Sequence, residues 1–392
     1  MPGRVRVDIE TGLFAETLKR AADVSPNSGK DITAFAGVII EVNVTEKTVR
    51  VRSTDAETFY SSWIPCEVEL LAGDLSDQVW RLPSKAFSGV IGSLPGGAGK
   101  VVSLEQEGRQ LKVNSGKAQA SFNLIDPDGY PNWDPFVDVD LVKVPGLREA
   151  MNRVSFAVSK DGTPPKIGLM LASDMVAAFD GLRFAAVHLD GLPFTEDHCV
   201  PLAVPRTVMA NLKVEPDVAV SKDGNNFLAQ IDEDTQYSSR LYSVKWPNVR
   251  TFLERVDQTH SIEFSRDDLV AMCRRALQMN TSKRTAKLDL FVGQEQLAVF
   301  CADSDMGYLG DAMDLPGQAT HEVTKIRVMP EFFLDMIQAG DELITMHYRA
   351  GHQYTDHPEN TPKSMKMASN LRFTLGRNFQ AWCMPNTGKA RK

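Results

Sequence analysis

The stretch Leu94-Pro-Gly-Gly-Ala-Gly-Lys-Val101 gathers glycines and a lysine as a phosphate cradle would, but its details argue against that chemistry. A loop of the G-x-x-x-x-G-K-[ST] type needs Gly where Leu94 stands and Ser or Thr where Val101 stands, between a strand and a following helix. Here a helical pattern comes first and a strand second, so the segment reads as a glycine-rich turn. His347, His352 and His357, with Asp356, form the other cluster of ligating side chains. Their spacing fits neither one face of a helix nor the alternation of a strand, and the stretch between Met346 and Met365 reads as a long hairpin loop. Asp126-Pro-Asp-Gly129 lacks the ligand spacing of a calcium loop and is another turn. The five cysteines (Cys66, Cys199, Cys273, Cys301, Cys383) form no C-x-x-C pair. That pattern predicts free, buried thiols in a reducing cytoplasm, not a zinc site or a disulfide framework. No Ser-His-Asp or Cys-His constellation can be assembled from sequence alone. The reading assigns no catalytic residue, no metal and no cofactor. A metal-dependent enzyme built on the acidic turns or the histidine-rich loop stands as an alternative.

The chemistry that recurs is cationic. The chain has 392 residues and a net charge of −8, with 43 Lys and Arg against 51 Asp and Glu. Any contact with nucleic acid must therefore come from local placement of cations. Three helical patterns can be aligned on Phe14, Leu147 and Leu269, stepping at about 100° per residue. Leu18 and Ala21, Met151 and Val154, and Cys273 and Ala276 then fall beside those residues as a buried stripe. On the far side lie Lys19 and Arg20, Asn152 and Arg153, and Arg274 and Arg275. The following loops add Lys30, Lys160, Lys283 and Arg284. Cationic helix faces of this kind suit phosphate contacts, which carry no base information and weaken with salt.

The elements that must position these faces repeat. Each unit opens with a short strand: Val5-Arg-Val-Asp-Ile9, Val139-Asp-Leu-Val142 and Ser261-Ile-Glu-Phe264. Turns follow at Asp55, Asp180 and Asp303, spaced 125 and 123 residues apart. Second helices start at Pro83, Pro205 and Pro330, spaced 122 and 125 residues apart. Proline suits a first helical position, where its missing N–H is no loss. The intervening segments alternate as antiparallel strands. The fold class is α+β: three repeated domains over 1–137, 138–258 and 259–392, each with two helices laid on antiparallel sheet. The amino terminus lacks the apolar core of a signal peptide, and no stretch has the 18 or so apolar residues of a membrane helix. Open sheet edges at the ends of such an array invite head-to-tail pairing with a second copy, which closes a ring.

Several segments resemble the bacterial DNA polymerase III beta subunit, the DNA sliding clamp family. They are Val113-Asn-Ser-Gly-Lys-Ala-Gln-Ala-Ser-Phe122 with Tyr130-Pro-Asn132, Ala178-Phe-Asp-Gly-Leu-Arg-Phe-Ala185, Ser239-Arg-Leu-Tyr-Ser-Val-Lys-Trp-Pro-Asn-Val249 and Ala381-Trp-Cys-Met-Pro385. The resemblance extends over all three repeats. It implies a cytoplasmic, non-enzymatic processivity factor of DNA replication. Such a factor is a homodimeric ring of six domains around double-stranded DNA, without a cofactor. It also implies a cleft where a DNA polymerase subunit and the clamp loader insert a short hydrophobic peptide. Carried over by position, the cleft comprises Ile167, Phe179, Gly181, Leu182, Arg183, Phe184, Pro247, Phe252, Trp382, Met384 and Pro385, with Arg183 at its edge. The chain departs from the family in having Phe179 for Thr, Leu182 for His and Trp382 for a small aliphatic residue. This predicts a different peptide, as would suit a divergent, phage-encoded member. The basic tail after Pro385, ending Lys389-Ala-Arg-Lys392, reads as a disordered end. A clamp-fold scaffold that binds replication proteins without encircling DNA is the remaining alternative.

Overall fold

The buried stripe of the first helix is in place: Phe14, Leu18 and Ala21 are all buried. The helix, α1 (Thr11–Val24), follows strand β1 (Arg4–Glu10), whose last side chain accepts hydrogen bonds from the Gly12 and Leu13 amides. Glu10 thus satisfies two of the amides that every helix start leaves unpaired, and puts negative charge at the positive end of the dipole. The computed structural model describes residues 4–26, 34–97, 99–132, 134–136, 138–159, 162–201, 215–246, 250, 253, 259–279, 287–303, 305–318, 322–349 and 371–383.

In the first repeat, α1 is followed by β2 (Val38–Asn43), β3 (Thr48–Thr54), β4 (Thr58–Pro65), β5 (Glu67–Ala72) and β6 (Gln78–Leu82). Then come α2 (Ser84–Ser93), β7 (Val101–Glu107), β8 (Gln110–Ser115) and β9 (Ala118–Asn123). The second repeat holds β10 (Val142–Lys143), α3 (Leu147–Val154), β11 (Gly168–Leu171), β12 (Met175–Phe179), β13 (Arg183–His188) and β14 (His198–Pro201). After it come β15 (Asp217–Val220), β16 (Asn226–Asp232) and β17 (Thr235–Arg240). The helix expected after Pro205 lies outside the described residues. The third repeat holds β18 (His260–Ser265), α4 (Arg266–Leu277), β19 (Leu288–Gly293), β20 (Gln296–Asp303), β21 (Gly307–Asp314) and β22 (Thr324–Val328). It ends with α5 (Pro330–Gln338), β23 (Leu343–Tyr348), β24 (Leu371–Gly376) and β25 (Phe379–Cys383).

Pairing recurs with the elements. The order β4-β3-β2-β6 in the first repeat returns as β13-β12-β11-β14 and again as β21-β20-β19-β22. The order β1-β7-β8-β9 returns as β10-β15-β16-β17 and β18-β23-β24-β25. One expectation is trimmed: the opening strand of the second repeat is only Val142–Lys143, both exposed, not the run from Val139. The expected repeat boundaries at 137 and 258 fall on residues outside those described.

By compactness the chain forms two units. One comprises residues 1–144 and 207–241, the other 145–206 and 242–392. In the first unit, the last strand of the second repeat adds to the first repeat's sheet, with β17 on β4 from Thr235↔Ser62 to Ser239↔Thr58. In the second unit β25 adds to β13, from Phe379↔Val187 to Arg183↔Cys383. Both joints are antiparallel, start at the residue after the hairpin turn, and span five pairs. Their strands are largely buried. β9 and β21, the matching strands with no such partner among the described residues, are edge strands with exposed or half-exposed residues.

The repeated aspartates hold turns. Asp55 accepts from the Glu57 and Thr58 amides, and Asp180 from those of Leu182 and Arg183. Local amide capture of this kind is why Asp recurs there.

Candidate functional site

The cationic positions do not share one environment. Lys19 is exposed on α1 and Arg274 exposed on α4, and neither has a carboxylate partner among the described residues. Arg20 is half-buried, bonded to Glu16 one turn back at 2.5 Å. Its Nε is buried without a hydrogen bond, close to the phenol of Tyr60, which burial pushes up to about 12. Arg153 reaches Glu149 at 2.8 Å and Asp341 at 2.7 Å, with its guanidinium 5.6 Å from the Phe379 ring. Arg275 is exposed and takes Asp311 on β21 at 2.5 Å. Pairs as solvated as these are worth about 0–1 kcal/mol, so a phosphate could displace the carboxylate from Arg275 at small cost. Lys30, Lys160, Lys283 and Arg284 lie outside the described residues.

In α4, Ser265 caps the Asp268 amide, Asp267 and Asp268 occupy the first turn, and Arg274 and Arg275 the last. Charges so placed complement the helix dipole. The arginines thus project from a helix stabilised at both ends, with Leu269, Cys273 and Ala276 anchoring its opposite side.

The second candidate lies on one face of the sheet β14-β11-β12-β13-β25-β24-β23-β18. Strand register lines up Phe179, Phe184, Trp382, Arg372 and His347 across successive strands. The Phe184 and Trp382 rings are 5.2 Å apart. They belong to a cluster with Met170, Met175, Cys199 and Trp246, against which Phe179, Tyr242, Val244 and Leu253 pack. Phe179, Ile167, Gly181 and Leu182 are half-exposed, and Gly181 takes the positive φ of +93° that its turn requires. Pro247, Phe252, Met384 and Pro385 lie outside the described residues. The sequence reading missed Trp246, Met170, Met175 and Arg372. Trp246 directly precedes Pro247 in a segment already singled out, but nothing local signals that it folds onto this sheet.

Arg183 does not sit at an edge. It is 5% exposed, bonded to Asp180 at 2.8 Å and Asp335 at 3.3 Å. Its guanidinium lies 4.2 Å from the Phe332 ring centroid and 5.5 Å from that of Phe156. A guanidinium so enclosed joins the β12–β13 turn to α5 and is not available to a ligand. Arg183→Met strands the Asp180 carboxylate in a buried site. It should cost about 3 kcal/mol, read as a lowered denaturant midpoint with secondary structure retained.

Of the histidine cluster, only His347 is among the described residues. His347 shares a hydrogen bond with Thr374 at 2.9 Å, and burial, with Arg372 adding, lowers its pKa. His352, Asp356 and His357 lie outside the described residues. Among the described residues no three His, Cys, Asp or Glu side chains are placed to share a metal. All five cysteines are buried and reduced. No helix among the described residues is long and apolar enough to cross a membrane.

No family model matches the chain. It is similar to the beta sliding clamp of Proteus mirabilis, at 23% identity over 323 residues covering 76% of this chain and 84% of that protein. It is similar to that of Bacillus subtilis (strain 168) at 21% identity, over 76% of this chain and 82% of the other. Among solved structures, the DNA polymerase sliding clamp from Bacillus subtilis superposes with a TM-score of 0.81 at 17% identity, over 97% of this chain and 99% of that one. The Helicobacter pylori beta clamp bound to DNA ligase peptide gives 0.78 at 13% identity, over 97% and 99%. These likenesses establish the α+β sliding-clamp fold over nearly the whole chain, as the sequence resemblance implies.

Proposed function

We propose that this chain, a divergent member of the DNA polymerase III beta-subunit clamp family, is a ring-forming processivity factor that encircles duplex DNA. The observation that carries this reading is the repeated joint. Twice, the final strand of one repeat adds to the fourth strand of the repeat before it, β17 to β4 and β25 to β13. By the same rule β9 needs a β21; the chain's own β21 is likewise an edge strand among the described residues, so a second copy can supply the partner of each. Two copies placed head to tail satisfy both edges at once and close with two-fold symmetry.

Register follows from the two joints. Each begins at the residue after the hairpin turn, which in β9 is Ala118. Phe122 packs on Phe87 of α2, and Asp311 faces Arg275 of α4. Matching the helix-side faces sets Ala118–Phe122 against Gly307–Asp311 of the partner, with Ala120 opposite the partner's Leu309. Tyr308, 74% exposed, and Met306, 54% exposed, flank this edge. Large apolar side chains left in water beside an open strand suit an interface.

In this reading Lys19, Arg20, Arg153, Arg274 and Arg275, with Lys30, Lys160, Lys283 and Arg284, face the DNA. The three repeats take the boundaries 1–137, 138–258 and 259–392. The protein is not an enzyme and acts in the cytoplasm. Closure, not affinity, holds it on DNA, so weak phosphate contacts that permit sliding are an advantage. The aromatic face with Phe179, Phe184 and Trp382 receives a short hydrophobic peptide of a polymerase subunit or loader. The peptide carried by the Helicobacter pylori clamp supports that assignment by analogy.

Retention after loading tests the proposal. The protein should stay on nicked circular DNA through a high-salt wash and be lost once the circle is cut. Equal loss from both forms would leave only a scaffold that does not encircle DNA.

A further inference from the structure

Among the described residues, the buried and half-buried arginines are partnered, with one exception. Arg50 has Asp134, Arg52 has Glu41, Arg153 has Asp341 and Arg327 has Asp289. Arg81 donates to the Ala34, Ala36 and Asp126 carbonyls. Arg372 on β24 has no hydrogen-bond or carboxylate partner among the described residues. Its Nε is buried and unpaired. Burial lowers its pKa, with no acidic neighbour acting against that shift, yet a guanidinium remains protonated in proteins. A cation held partly out of water without a counter-ion is costly. Among the described residues the position is therefore short of an anion.

Its surroundings narrow what that anion is attached to. On one side lies Trp382, its ring centroid 5.8 Å from the guanidinium, and beyond it Phe184 and half-exposed Phe179. On the other lies His347, tied to Thr374 and held below its usual pKa by burial and by Arg372. His347 supplies no negative charge, and a neutral imidazole leaves the arginine uncompensated. The row thus sets aromatic side chains, of which Phe179 is half-exposed, beside a guanidinium that has no acidic partner among the described residues.

We infer that Arg372 receives the side-chain carboxylate of an Asp or Glu in a partner's peptide, whose neighbouring apolar side chain lies against Trp382 and Phe179. This rests on the reading of the aromatic face as the peptide site. Arginine suits the role because its planar fork pairs with carboxylate through two hydrogen bonds.

The test uses a random heptapeptide library displayed on phage through its carboxyl end, so that no peptide carries a free terminal carboxylate. Selection on the full-length protein should enrich sequences that combine an apolar residue with Asp or Glu at fixed spacing. A synthetic copy of the consensus should bind Arg372→Gln about tenfold more weakly. Replacing the acid by its amide should cost a similar factor, and the two changes together no more than either alone. Arg372→Lys, which keeps the charge without the fork, should recover part of the loss, and circular dichroism checks that each variant is folded. A consensus without acid, or an amide peptide that binds the wild type equally well, overturns the role of Arg372. Selected peptides whose binding ignores Phe179→Ala overturn the peptide site itself.

Discussion

Ala120→Glu should turn a protein that sediments as about two 43.3-kDa chains into one that sediments as a single chain. Ala120 sits on the edge strand β9, paired on one side only, with Val113 of β8. It is half-exposed in the chain, so a glutamate there is tolerated by the monomer. In the dimer the same carboxylate would be pressed against the partner's Leu309, two residues along the strand from Asp311. An unpaired charge buried at a seam costs about 2–3 kcal/mol or more. Two-fold closure applies the cost at both seams, which is enough to shift a micromolar assembly to monomer. Retention on circular DNA should vanish with the ring, while peptide binding in the second unit is kept. Adding Leu309→Lys to the same chain sets opposite charges face to face at each seam and should restore the dimer in part. A double variant no more associated than Ala120→Glu alone would show the register to be wrong. A dimeric Ala120→Glu would remove β9 from the interface.

What could be read in the sequence was local. The stripes Phe14–Leu18–Ala21 and Leu269–Cys273–Ala276 are buried as helical spacing requires. Asp55 and Asp180 take up amides two and three residues ahead, so their recurrence marked turns directly. The partnerships that decide function span long distances. Arg153 meets Asp341 188 residues away, and Arg183 meets Asp335 152 residues away. Arg183 could therefore be mistaken for a surface ligand, because only the fold brings α5 and two phenylalanines around it. The joint is equally invisible locally: Tyr60 and Tyr237, with ring centroids 4.9 Å apart, meet because β17 completes the sheet that β4 begins. Repetition was legible because it is carried by turn and cap residues. The pairing that makes repetition useful is set by register between distant strands.

The proposed seam and the proposed DNA face both involve α4, which separates the two arginines the sequence treats alike. Arg274 is exposed and unpaired among the described residues, and its replacement touches nothing else. Arg274→Glu should leave the dimer intact and weaken binding to short duplex DNA at low salt. Each ring loses two phosphate contacts, so the salt slope should fall by up to about 2. Arg275 is bound to Asp311 on β21 through both Nε, at 2.8 Å, and a terminal nitrogen, at 2.5 Å. Arg275→Glu sets a second carboxylate beside Asp311, on the strand that the proposed seam uses. It should therefore lower the salt slope and also loosen the dimer, with a larger combined loss of retention on circles. Equilibrium sedimentation and a salt titration on the two variants separate the effects. Equal dimer strength in both would detach Asp311 from the seam, and an unchanged salt slope in Arg274→Glu would turn this helix face away from DNA.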